Sequence, residues 1–228
     1  MDGLVLRARD LYKEFVKGDS KLEIVKGVSF DLMRGDCVAI MGSSGAGKST
    51  LLHLLGGLDH PTRGDIYFGS KLVNLWKMSD EAISRFRNEN LGFIFQFHYL
   101  LPEFSALENA MMPALIGGVS RNEAMSRARE LLEYVGLRDR MEHRPAELSG
   151  GEQQRVAIAR AVMMKPKLIL ADEMTGNLDS ENSRRVIDLL LALNRELGIA
   201  ILLVTHDHDV AGRMKRVLTM KDGKIQSS

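Results

Sequence analysis

A single cysteine, Cys37, is all that this 228-residue chain contains. No internal disulfide framework can form, and a reducing compartment suits such a chain. Cys37 lies in an apolar stretch, where a thiol reads as core rather than as a reactive group. An excess of charge is also missing: 31 Lys and Arg against 30 Asp and Glu leave a formal net charge of +1. Nucleic-acid binding usually shows a basic surplus, so no nucleic-acid partner is expected. No segment approaches the ~20 apolar residues of a membrane-spanning helix. Residues 1–11 carry Asp2, Arg7, Arg9 and Asp10 without the apolar centre of a secretory leader, and none is expected. Internal repeats, low-complexity tracts and linkers are absent too, and Ser227-Ser228 carries no signal. What is present is a chain 45% hydrophobic, enough for a sizeable core, at a length that suits one domain with an inserted subdomain.

Residues 42–49 fit the pattern G-x-x-x-x-G-K-[S/T] within Gly42-Ser43-Ser44-Gly45-Ala46-Gly47-Lys48-Ser49-Thr50. Gly45 and Gly47 let the backbone turn its N–H groups inward, in conformations a Cβ opposes. Those groups and the start of the next helix make an anion cradle for ATP. Lys48 reaches the outer phosphates, and the Ser49 hydroxyl can ligate Mg²⁺. The context agrees: Asp36-Cys37-Val38-Ala39-Ile40-Met41 reads as a buried strand, and Leu51-Leu52-His53-Leu54-Leu55 opens a helix. Farther along, Leu168-Ile169-Leu170-Ala171 is an apolar strand running into Asp172-Glu173. Packing needs no acids there. Asp172 is expected to hold Mg²⁺ through water, and Glu173 to orient and polarise the attacking water. A second such strand, Ile201-Leu202-Leu203-Val204-Thr205, ends in His206, placed to hydrogen-bond a terminal phosphate.

With Leu148-Ser149-Gly150-Gly151-Glu152-Gln153 added, the chain resembles the nucleotide-binding subunits of the ATP-binding cassette (ABC) family over essentially its full length. The resemblance implies an α/β fold: a P-loop NTPase core with an antiparallel β-subdomain (1–95 and 165–228) and an inserted helical subdomain (96–164). It implies ATP hydrolysis with Mg²⁺. It makes Phe15 the adenine-stacking aromatic in preference to Tyr12, with core packing as the alternative. Gln96 becomes a ligand near Mg²⁺ and water that also opens the hinge to the helical subdomain. Gly176-Asn177-Leu178-Asp179 becomes a loop crossing a dimer seam, a role compatible with Asp179 or Ser180 capping the next helix. Ser149, Gly150, Gly151 and Glu152 would bind ATP held by a second copy, in a head-to-tail pair with two nucleotides between the subunits. Locally, Pro145 interrupts any preceding helix, Ser149 stands where one would start, and residues 153–164 form helix readily. One departure is Met174, where the family usually has Pro; the backbone of Glu173 is left freer, with hydrolysis expected to survive.

Strands are expected at 4–8, 23–32 and 65–68, with a polar turn at 17–21. Ser120-Arg121-Asn122-Glu123 reads as a capping box before a helix whose face carries Met125, Ala128, Leu131, Leu132 and Val135. Val186, Leu189, Leu190, Leu193 and Leu197 give a second apolar face. The stretch 96–113 contains Phe97, Tyr99, Leu101 and Phe104 beside Pro102 and Pro113. In the family this stretch lines the groove for a helix of the membrane subunit, a helix-in-groove contact. Together with His53-Leu54-Leu55-Gly56-Gly57-Leu58-Asp59 it is similar to the lipoprotein-releasing branch of the family. The macrolide and peptide exporters and the cell-division ATPases share much of that wording. The chain is therefore expected at the cytoplasmic face of the inner membrane, bound peripherally to integral membrane subunits. A repair or translation ATPase usually carries a long coiled-coil insertion or two cassettes, and this chain has neither.

Overall fold

The computed structural model describes residues 3–18 and 20–226. Asp19, at the expected polar turn, and Ser227-Ser228 lie outside the described residues. The chain begins with a long hairpin, β1 (Leu4–Lys17) and β2 (Ser20–Met33). Then follow β3 (Cys37–Met41), α1 (Lys48–Leu55), β4 (Arg63–Phe68), β5 (Val73–Asn74), α2 (Asp80–Asn90) and β6 (Leu91–Phe95). Three helices come next: α3 (Ala106–Ile116), α4 (Arg121–Tyr134) and α5 (Gly150–Val162). The chain closes with β7 (Leu168–Asp172), α6 (Ser180–Leu197), β8 (Ala200–Thr205), α7 (His208–Gly212), β9 (Arg216–Lys221) and β10 (Lys224–Gln226).

The strands form two sheets, β2-β1-β4-β5 and β10-β9-β3-β8-β7-β6. The first is antiparallel. In the second, β9, β3, β8, β7 and β6 are parallel, with β10 as an antiparallel edge. The parallel strands read as continuous apolar runs because both of their faces are covered. Successive side chains go to opposite faces. Val38, Ile40, Leu168, Leu170, Leu202 and Val204 join α1 and the antiparallel sheet in one core. Cys37, Ala39, Ile169, Ala171, Ile201 and Leu203 join residues of α5 and α6 in another. A third core lies among α3, α4 and α5, so these helices have apolar packing of their own beside the catalytic sheet.

Several expectations change in detail. β1 runs to Lys17 rather than ending at residue 8. Register shifts follow Ala8 and Leu11, and Asp10 has φ 45°, so the simple alternation that marks a strand is broken midway. Ser120 accepts the N–H of Glu123 as an N-cap, but the reciprocal half of the expected box is not formed among the described hydrogen bonds. α5 begins at Gly150 and ends at Val162, not at 153 and 164. Ser149 caps it, with Glu152 completing a reciprocal box. On α6, Val186, Leu190 and Leu193 are buried, but Leu197 in the last turn is 43% exposed; Ile187 is buried in its place. Among the described residues no helix is long and apolar enough to cross a membrane.

Helix α1 is the wedge between the two sheets, with Leu51, Leu52, Leu54 and Leu55 fully buried. Truncating one of them leaves a cavity that rigid sheets on both sides cannot collapse. Leu54→Ala is expected to lower stability by about 2–5 kcal/mol, measured as a lower denaturant midpoint. An unchanged midpoint would show that the sheets close around the gap.

Candidate active site

The loop between β3 and α1 makes the phosphate cradle. Its N-cap, Gly47, has φ 97° and brings no side-chain cap to α1. The first-turn N–H groups are therefore left for an anion. A Cβ on Gly47 would lie 2.6 Å from the Ile24 carbonyl oxygen, so residue type and packing both require glycine. The cradle opens into a cavity of about 590 Å³ lined by Ile24, Ser44, Gly45, Gly47, Lys48, Ser49, Thr50, Gln96, Glu173 and His206. Gly42, Ser43 and Ala46 shape it from behind. The Lys48 ammonium donates to the carbonyls of Gly42 (2.8 Å) and Ser43 (3.1 Å), and Ala46 is buried. A cradle of unpaired N–H groups with a buried lysine fits a nucleotide polyphosphate.

The parallel sheet delivers the acids. Ser49 Oγ donates to Asp172 Oδ1 at 3.1 Å, placing two hard oxygen donors of the kind Mg²⁺ takes side by side. Burial pushes the Asp172 carboxyl above its ordinary value, partly offset by the Ser49 hydrogen bond. Glu173 follows the end of β7 with φ 44°, and its N–H is bonded to the Val204 carbonyl at 3.0 Å. The side chain sits between Lys48 and His206: Lys48 Nζ lies 3.8 Å from Oε1, and His206 Nδ1 lies 3.0 Å from Oε2. Met174 beneath it is buried in the core. Gln96 Nε2 donates to Asn177 Oδ1 at 3.3 Å, and Asn177 Nδ2 donates back to the Gln96 carbonyl at 3.2 Å. The end of β6 is thus tied to the loop before α6. Asp179 caps α6 by accepting the Asn182 N–H at 2.8 Å, and that bond, with a second from the Asn182 side chain, lowers its pKa.

The structure gathers Ser44, Gly45, Gly47, Lys48, Ser49, Thr50, Gln96, Asp172, Glu173 and His206. Ser149, Gly150, Gly151 and Glu152 do not line this cavity. They open α5, where Gly151 packs on Asn182: a Cβ there would lie 2.9 Å from Asn182 Oδ1. Phe15 does not line it either. Its ring is 46% exposed on β1, which rules out the core alternative, and Lys13 Nζ lies 5.0 Å from its centroid. Tyr12 is instead covered by Arg63, 4.2 Å from the ring centroid.

Two features escaped the sequence reading. Ile24, from the long β2, lines the cradle; only long-range strand pairing brings it there. The segment after Gln96 is clamped to α5 as well. Arg160 donates to the carbonyls of Tyr99 (2.6 Å) and His98 (2.7 Å), and His98 Nε2 lies 2.9 Å from the Gly150 carbonyl oxygen. Beside this clamp runs a groove of about 450 Å³ whose lining includes Leu58, Phe93, Phe95, Tyr99, Pro113 and Ile116. Phe97, Tyr99, Leu101 and Phe104 are all exposed.

Residues 25–176 match the ABC transporter family. The chain is 52% identical to the lipoprotein-releasing system ATP-binding protein LolD of Syntrophus aciditrophicus, over 97% of this chain and 98% of that protein. It is 50% identical to the LolD of Legionella pneumophila (strain Paris), over 99% and 98%. Among solved structures it is similar to the dimeric post-hydrolysis state of the ATP-binding cassette MJ0796 bound to ADP and Pi. That likeness has a TM-score of 0.89 and 37% identity, covering 97% of each chain.

Asp172 carries a stability cost that follows from its position. Its folded-state pKa lies above the ordinary value, so ionisation is disfavoured by folding. The penalty is absent below the unfolded carboxylate range, near pH 4, and complete above the folded value. Asp172→Asn keeps an acceptor for Ser49 and removes the charge. It is expected to raise the thermal midpoint of the ligand-free protein at pH 7, with the gain vanishing on acidification to about pH 4. A lower midpoint at pH 7 would mean that the carboxylate is stabilised where it stands.

Proposed function

Because this chain belongs to the ABC transporter family of ATP-binding subunits, we propose that it is the ATPase of an inner-membrane complex that releases lipoproteins toward the outer membrane. The observation that carries the catalytic part is Glu173, held between Lys48 and His206 at the mouth of the phosphate cradle. Lys48 and the first-turn N–H groups of α1 bind the phosphates of ATP. Ser49, Asp172 and Gln96 hold Mg²⁺, which offsets the charge that develops on the phosphates when it is bound. Glu173 orients a water molecule and accepts its proton as ADP and phosphate separate, while His206 keeps the carboxylate in place and donates to the terminal phosphate. Phe15 supports the adenine ring.

Ser149, Gly150, Gly151 and Glu152 stand outside the cavity of their own chain, which favours their use on ATP held by a second copy, head to tail, the first three by contact and Glu152 only through the capping box that holds the helix start. The dimeric state of the MJ0796 cassette supports this pairing. Closing the pair moves the 96–164 subdomain against the 1–95 and 165–228 core through Gln96. The groove beside Tyr99 passes that motion to a helix of the membrane subunit, with exposed Phe97, Tyr99, Leu101 and Phe104 at its approach. The protein is then peripheral, at the cytoplasmic face of the inner membrane. The LolD relatives, alike over nearly their whole length, support lipoproteins as the cargo.

Glu173→Gln is expected to lower turnover at least about 100-fold while leaving an ATP-bound dimer that persists in size-exclusion chromatography. Lys48→Ala is expected to lose ATP binding. Near-normal turnover in Glu173→Gln would remove Glu173 as the base. For the complex, the tagged chain is solubilised with its native membranes and the co-purifying proteins are identified by mass spectrometry. A membrane subunit carrying bound lipoprotein supports release. A cell-division membrane protein or an exporter subunit would move the assignment to those branches, and no membrane partner would overturn it.

A further inference from the structure

The first turn of α5 carries a conflict of charge. The N–H groups of Gly150 and Gly151 have no acceptor among the described residues, and a helix start of this kind favours an anion. Yet the third residue of that turn is Glu152, a full negative charge at the place where a phosphate must approach. Its Oε2 accepts the Ser149 N–H at 2.8 Å, which closes the capping box and helps hold the pKa of the carboxyl below its ordinary value. The charge therefore persists at neutral pH, beside the Gly150 and Gly151 N–H groups that a phosphate would use.

The cation paired with Glu152 is Arg140. Its Nε donates to Glu152 Oε1 at 3.2 Å. Arg155, on the same helix, lies close enough to feel Glu152, but no hydrogen bond joins them among the described contacts. His143 Nε2 is 3.5 Å from Arg140 Nη1. The turn that bears Arg140 is fixed from another helix: the carbonyls of Met141 and His143 accept the N–H groups of Leu107 (2.9 Å) and Ala106 (2.8 Å) at the start of α3. Arg140 itself donates its N–H to the Leu137 carbonyl at 3.0 Å. A backbone held at both ends presents the guanidinium to the carboxylate.

We propose that Arg140 is a positioning residue that cancels the charge of Glu152, so that the start of α5 can accept the phosphates of ATP bound by a second copy of the chain. The inference rests on the two-copy reading above. Without Arg140, the Glu152 carboxylate opposes the incoming phosphate and cancels the attraction of the helix start. Gln at position 152 would keep the capping box and carry no charge, so it removes the need for Arg140.

The test uses the Glu173→Gln protein, which accumulates the ATP-bound dimer, with its dissociation followed by analytical ultracentrifugation. Adding Arg140→Ala is expected to weaken the dimer about tenfold, each of two composite sites contributing roughly threefold. ATP binding to the single chain and the thermal midpoint are expected to stay within error. Adding Glu152→Gln to the Arg140→Ala chain is expected to restore the dimer to within about twofold of the starting protein. Should Arg140→Ala fold poorly, Arg140→Gln, which keeps polarity and bulk without charge, is expected to give the same weakening and the same rescue. A dimer unaffected by either Arg140 variant overturns the proposal. So does a weakening that Glu152→Gln fails to rescue, because Arg140 then acts through the fold and not through charge. A Glu173→Gln protein that never dimerises, with Arg140 intact, overturns the pairing itself and is distinguished by that independence.

Discussion

Backbone N–H groups at the starts of α1 and α5 have no acceptor among the described residues, and the proposed chemistry depends on both. At α1, Gly47 supplies a left-handed turn and no capping side chain. At α5, Ser149 and Glu152 engage one another and leave Gly150 and Gly151 free. Unpaired N–H groups are costly when buried and useful when they meet an anion. The fold keeps both sets accessible, at the starts of two different helices. Helix α1 packs in the first core, whereas α5 is shared between the second core, with the sheet, and the third, with α3 and α4. On the two-copy reading proposed above, ATP in the cradle of one chain meets the start of α5 of another.

The parts written in local chemistry were legible from the residues. The phosphate loop declares itself through glycines and a lysine between strand and helix. The acids declare themselves because an apolar strand has no packing reason to run into Asp172 and Glu173. Ser149 announces a helix start by side-chain type. Features made by long-range pairing were not legible. The bulges near Asp10 hid the length of β1, and with it the path that brings Ile24 to the cradle. Arg160 is one more cation on a helix until the fold lays residues 98 and 99 across it. Arg140 and Glu152 are twelve residues apart, on a turn and a helix, and nothing in their spacing pairs them. Leu197 matched the apolar period of α6 but falls in the last turn, beyond the reach of the sheet.

Those long-range contacts also explain how a cradle at one end can speak to a groove at the other. The segment that follows Gln96 is not a loose loop. Its carbonyls at 98 and 99 are held by Arg160, and His98 meets the Gly150 carbonyl at the start of α5. Gln96 is bonded to Asn177 through both its side-chain N–H and its main-chain carbonyl, and Gly151 rests on Asn182 in the helix after that loop. Gln96 is therefore connected to the start of α5 by two routes, one through His98 and one through Asn177 and the α6 cap. The exposed aromatics of the groove lie on the first of these routes. The groove itself is lined from both sides of Gln96, by Leu58, Phe93 and Phe95 before it and by Tyr99, Pro113 and Ile116 after it; on the two-copy reading proposed above, a motion at Gln96 would alter its shape.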